Sequence, residues 1–199
     1  QVRDVLDAAA CGGLRFDASE LSRVLGSPVD ALTERLHRIE TEHGLLRSMG
    51  DGFAFDHQLV REVLHDDLYP TLRCQLHGAW AEALRPDADA IDGPLAIRLV
   101  SHEVEAGRGD EAAGMLETAL AYQDGAVRPH AALGLLERVL AVLDESRFAT
   151  RGPLLRQCAQ RQLQLGRFED LDRTLAAAWA IAHHAEPLER AHLHDLNAK

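Results

Sequence analysis

Aromatic residues make up only 5% of the 199-residue chain, and Lys199 is its one lysine, beside 20 arginines. A core so poor in aromatics excludes an aromatic-rich β-sandwich, and the recurring Ala and Leu suit thin, closely packed helices. Basic residues are also in deficit: Lys and Arg total 21 against 32 Asp and Glu, for a net charge of −11. Phosphate binding needs a basic face, so nucleic acid is not an expected partner. No apolar run approaches the ~18 residues needed to span a bilayer. No signal peptide is visible either, and a cytoplasmic location is expected. Cys11, Cys74 and Cys158 lie far apart without a CxxC pair. We expect them to be reduced, half-buried small hydrophobes rather than disulfide partners or metal ligands. The neighbours His183 and His184 diverge on a helix, as do His192 and His194, so no metal site is expected there. The G-x-S-x-G and H-E-x-x-H motifs are missing, and Asp66-Asp67 suits a solvated helix end. The chain is not expected to be an enzyme.

What is present is mostly helical periodicity. The chain starts at Gln1 within one helical pattern and stops at Lys199 within another. With its arginine bias it has the character of a fragment of a larger bacterial protein. Val2, Val5, Leu6 and Ala9 follow helical spacing up to Gly12-Gly13. Asp17 is placed to cap a second helix carrying Leu21, Val24 and Leu25, which Gly26 ends. Ser27-Pro28-Val29-Asp30 has the form of a capping box opening a third helix, with Val29, Leu32, Leu36 and Ile39 as its apolar stripe. Strands are predicted near 45–48 and 53–55 around Gly50-Asp51-Gly52, a β-hairpin signal. A fourth helix should start near Asp56 and carry Leu59, Val63 and Leu64. A fifth should follow Pro70 through Leu72, Leu76, Trp80, Ala83 and Leu84.

The polar stretch after Arg85 marks a boundary. The expected organisation is a winged-helix-like domain with trailing helices over 1–85, a linker over 86–93, and tetratricopeptide-like helical repeats over 94–199. The class is therefore all-α with one small β-hairpin wing. Helices are predicted at about 94–106, 109–124, 128–143, 149–165, 167–184 and 187–198, joined by short turns that imply antiparallel neighbours. A repeat is visible in Gly107, Ala112, Leu116 and Ala119 against Gly166, Leu171, Leu175 and Ala178. Leu155, Cys158, Ala159 and Gln162 fit the first helix of the second unit, and Phe168 its aromatic position. The glycines are 59 residues apart, not a multiple of 34.

The stretch Phe53-Ala54-Phe55-Asp56-His57-Gln58-Leu59-Val60-Arg61, followed by Arg73 and Leu76-His77, resembles the junction in bacterial STAND-class signalling ATPases. These include the large ATP-binding LuxR-type transcription regulators and multidomain adenylate cyclases. There a winged helix follows the ATPase core, carries an F-x-F-x-H-x-L-x-R element, and continues through an R-x-x-L-H helix into tetratricopeptide-like repeats. The resemblance implies that ATP or ADP binds in an upstream domain, since no G-x-x-x-x-G-K-[ST] loop occurs here. It also implies that His57 reaches the nucleotide phosphate in the resting state and that Arg61, one helical turn on, faces the same core. No cofactor is expected in this fragment itself. Expected partners are the chain's own upstream ATPase domain and a protein, peptide or small inducer on the repeats.

Two other readings stand beside this one. The first is a DNA-binding winged-helix regulator with a helical effector domain. The third helix opposes it, with Asp30, Glu34, Glu40 and Glu42 against Arg35 and Arg38, and residues 1–85 carry 9 Arg against 14 acids. The second is a plain tetratricopeptide-like scaffold, in which His57 and Arg61 are ordinary surface residues, with Arg61 paired to Glu62, Asp66 or Asp67.

Overall fold

The computed structural model describes residues 2–50, 52–85 and 91–182. The chain forms two compact units, Gln1–Ala88 and Asp89–Lys199. The described residues hold ten helices and one three-stranded antiparallel sheet.

The first unit runs α1 (Val2–Gly12), β1 (Arg15–Asp17), α2 (Ala18–Leu25), α3 (Val29–His43), β2 (Leu46–Met49), β3 (Gly52–Phe55), α4 (Gln58–Asp66) and α5 (Pro70–Leu84). Asp17 caps α2 through its carboxylate, which accepts from the Ser19 and Glu20 amides at 2.6 and 3.3 Å. The expected capping box on α3 does not form. Gly26, at φ +60°, closes α2 in the left-handed conformation, and the Ser27 amide bonds back to the Ser22 carbonyl. Ser27 thereby belongs to the end of α2, and α3 starts at Pro28 without a side-chain cap.

The hairpin is tighter than predicted. Met49 pairs with Gly52, leaving a two-residue turn that Gly50 enters at φ +64°. The strand β1 was not foreseen, and it pairs with β3 to give the sheet order β1-β3-β2. Gly52 is required by this pairing, because a Cβ there would lie 2.7 Å from the Phe16 carbonyl oxygen. Phe16, Phe53 and Phe55 face the core together with Leu21, Leu32, Leu36, Ile39 and Trp80. The Glu40 carboxylate holds α3 to β2 by accepting from the Ser48 amide at 2.7 Å and the Ser48 hydroxyl at 2.5 Å. These bonds lower its pKa.

The second unit runs α6 (Gly93–Glu105), α7 (Gly109–Gly125), α8 (Pro129–Val142), α9 (Phe148–Gln164) and α10 (Phe168–Ile181). Gly93, expected in the linker, already belongs to α6, which Asp92 caps at the Leu95 amide. The helix expected at 187–198, the histidines 183, 184, 192 and 194, and linker residues 86–90 lie outside the described residues. Successive helices pack on one another, and α6 also touches α8. Both residue sets read as a repeat are buried: Ala112, Leu116 and Ala119 in one, Leu171, Leu175 and Ala178 in the other. Phe168 differs, being 62% exposed at the start of α10.

An arginine precedes each of α7 to α10: Arg108, Arg128, Arg147 and Arg167. The step is therefore one helix plus its turn, 19 or 20 residues, and three steps give the 59 that separate Gly107 from Gly166. A strict two-helix repeat cannot place both glycines at the same kind of turn. At three of these arginines the amide bonds back five residues, to the carbonyls of Glu103, Gln123 and Gln162. The residue before each has positive φ: Gly107, Val127 and Gly166. Salt bridges then tie alternate helices. Arg147, just before α9, and Arg161 on α9 make two-pronged contacts with Asp110 and Asp124 of α7, and Arg138 on α8 reaches Glu105 of α6.

Candidate functional site

The residues read as the nucleotide-facing element sit where β3 gives way to α4. Gly52–Phe55 buries its phenylalanines in the sheet, and the chain then turns outward at Asp56. His57 is the residue before α4, with extended backbone and no side-chain cap bond. Its ring is 76% exposed and contacts only the Asp56 carboxylate at 3.3 Å among the interactions resolved. It therefore stands at the N-terminus of α4, next to the Asp56 carboxylate.

Arg61, one turn further on, is half-buried. Its guanidinium is mostly buried and turns inward, donating to the carbonyl oxygen of Ala10 at 3.4 Å, with Glu62 at 4.0 Å. Ala10 is in the last turn of α1, where carbonyls lack helical partners, so Arg61 helps close that helix. His57 and Arg61 are thus not brought to one point. Arg3, by contrast, crosses from α1 to Asp67 at 2.8 Å while also bonding Asp7.

Helix α4 itself is unusual. None of its residues is fully buried, and Leu59 and Val63, one turn apart, are 68% and 60% exposed. Tyr69, just before α5, is exposed as well. An amphipathic helix normally turns its large apolar residues inward. Here two of the three predicted apolar positions face outward.

The exposed face of α3 carries Glu34, Arg35, Arg38 and Glu42, while Leu32, Leu36 and Ile39 are buried and Val29 is exposed. Two arginines and two acids share that face, giving no net basic charge.

At α4 three side chains converge, and one of them, His65, carried no signal in the sequence. Cys11 of α1, His65 of α4 and His77 of α5 have ligand-type atoms all within 4.8 Å of one another. The two imidazole Nε2 atoms are 3.2 Å apart. Nothing in their spacing, 54 and 12 residues, signals this; only the helix packing does. Cys11 is buried, as expected for a small hydrophobe, and so is Cys158, whose thiol burial pushes up to about 11, whereas Cys74 is exposed.

In the second unit a groove of about 680 Å³ runs along α8, α9 and α10. Its lining includes Arg151, Arg167 and Arg173 with Glu137 and Asp170, and its floor contains Leu155, Cys158 and Gln162. Arg151 is committed to the carbonyls of Leu140 and Leu143 at 2.8 and 2.9 Å, and Arg167 and Arg173 both bond Asp170. Gln162 donates to Glu137 at 3.0 Å, while its Oε1 has no hydrogen-bond partner among the described residues. That oxygen is itself buried, so it is an unpaired polar atom beneath the groove.

No family model matches the chain, and neither a curated protein nor a solved structure does. No helix among the described residues is long and apolar enough to cross a membrane.

Proposed function

We propose that this chain is a non-catalytic regulatory part of a bacterial STAND-type signalling protein, in which the first unit docks on an upstream ATPase core and the second receives a ligand. The observation that carries the reading is α4: it buries no residue and holds Leu59 and Val63 outward, directly after the exposed His57. An apolar face of this kind, rimmed by charge, suits contact with another protein body. The element order α1-β1-α2-α3-β2-β3, with its small antiparallel sheet, is the order a winged helix would have and supports the same reading. The α8–α10 groove, lined by charged residues of both signs, is where a ligand or peptide would sit on tetratricopeptide-like repeats in this reading.

In this scheme the first unit latches a closed, ADP-bound state, and a ligand in the groove favours release. His57 contributes to phosphate binding. Arg61, which bonds the Ala10 carbonyl of α1, faces the same ATPase core. The mixed charge on α3 disfavours the DNA-binding alternative.

The test uses the parent protein. Leu59→Asp with Val63→Asp should loosen the closed state, raising basal output and ADP release, while the far-ultraviolet circular dichroism of this chain stays unchanged. An unaltered ADP off-rate in that double variant would remove the docking role.

A further inference from the structure

We propose that Cys11, His65 and His77 form a binding site for a thiophilic divalent cation of the zinc type, and that the bound ion pins α4 to α1 and α5. The inference goes beyond the signalling role and does not depend on an ATPase partner.

The first support is geometry. Zinc takes nitrogen at about 2.0–2.1 Å and thiolate sulfur at about 2.3 Å in tetrahedral sites, which sets nitrogen–nitrogen edges near 3.3 Å and sulfur–nitrogen edges near 3.6 Å. The His65 and His77 Nε2 atoms are already 3.2 Å apart, with their rings 79° from coplanar. The Cys11 sulfur lies within the same 4.8 Å cluster, so an ångström or so of closure suffices. The donor set of one thiolate and two imidazoles favours zinc over magnesium or calcium, which take oxygen.

The second support is the outer shell. His65 Nδ1 lies 3.3 Å from the Asp66 carboxylate, which can only accept. The proton of His65 is therefore on Nδ1, and its Nε2 lone pair points toward His77. This is the carboxylate–histidine arrangement that orients metal ligands. Binding a cation requires both Nε2 atoms to be unprotonated and the Cys11 thiol to release its proton to solvent.

The third support is what the site would hold together. Cys11 and His77 are buried, and the His65 side chain is only 18% exposed, so the ion would be largely shielded from water. Helix α4 has no buried residue of its own. A metal bridge between three helices would supply the anchoring that its apolar residues do not. With three protein ligands, one tetrahedral position remains for water.

The experiment uses the full 199-residue chain with Co²⁺ as a spectroscopic probe and Zn²⁺ as competitor. The expected result is a single Co²⁺ site showing a thiolate-to-cobalt charge-transfer band and tetrahedral d–d bands, displaced by one equivalent of Zn²⁺. The bands should vanish in Cys11→Ser and persist in Cys74→Ser and Cys158→Ser. In chelator competition, Asp66→Asn should weaken Zn²⁺ binding about 10–100-fold, and His65→Gln by more than that. His65 lies at the edge of the unit, so His65→Gln keeps the test open should the buried Cys11 variant fail to fold. The proposal is overturned if the wild-type chain shows no charge-transfer band, if the band survives Cys11→Ser, or if His65→Gln leaves the Zn²⁺ affinity unchanged.

Discussion

Gly12 ends α1 against the indole of Trp80, and the closeness of that contact gives a substitution a definite sign. A Cβ on Gly12 would lie 2.3 Å from Trp80 Cζ2 and 2.7 Å from Cη2. Trp80 is fully buried and cannot swing away freely, because its Nε1 donates to the Ala8 carbonyl at 2.7 Å. Gly12→Ala must therefore displace the ring. Overpacking of this kind costs about 1–3 kcal/mol, and weakening a buried hydrogen bond adds about 1 kcal/mol or more. The helical gain from Ala is small at the last residue of α1. The net expectation is a loss of about 2–4 kcal/mol, which lowers the melting temperature of a unit this size by roughly 10–25 °C. Gly114→Ala is the matched control. Gly114 lies inside α7 with nothing within 4 Å of a Cβ, so the same change should stabilise by about 0.5–1 kcal/mol. Urea unfolding followed by Trp80 fluorescence, in a Trp179→Phe background, reads the first variant; circular dichroism reads the second. If Gly12→Ala unfolds within about 0.5 kcal/mol of the parent chain, a value typical of indifferent surface sites, the steric argument is wrong.

Other outcomes follow from single contacts. Asp110 and Asp124 are held below the usual carboxylate range by their bonds from Arg147 and Arg161. A carboxylate whose pKa is lowered on folding stabilises fully above its unfolded value, about pH 4, and loses that contribution as pH falls through the lowered one. Urea midpoints of the chain should fall below about pH 4, and Arg161→Gln should make that fall shallower. His57→Ala should leave the melting temperature nearly unchanged, since the ring is exposed and caps nothing; in the parent protein it should hasten ADP release. A sharp drop in melting temperature with an unaltered off-rate would make His57 structural. Duplex DNA should show no salt-sensitive mobility shift with this chain. A shift abolished by mutating Arg35 and Arg38 would restore the DNA-binding alternative.

The sequence alone determined the elements with strong local signals. Apolar residues at helical spacing located α1 to α10 to within a few residues, because that period is written in neighbouring positions. Gly50-Asp51-Gly52 located the hairpin, and Asp17 the start of α2, since turn and cap chemistry is equally local. Only the tertiary structure decided the rest. Arg15–Asp17 is too short to show a strand period, and it becomes a strand because β3 offers it partners. Ser27 does not open α3, because its amide closes the end of α2 and Pro28 takes the N-cap position. Leu59 and Val63 lie one turn apart as an apolar face would, yet α4 leaves both exposed. Arg61 turned inward because the last carbonyls of α1 end beside it. Cys11, His65 and His77 met because three helices cross, and no spacing along the chain encodes a crossing. Local periodicity fixes what each segment is; which side chains share a site depends on packing between segments distant in sequence.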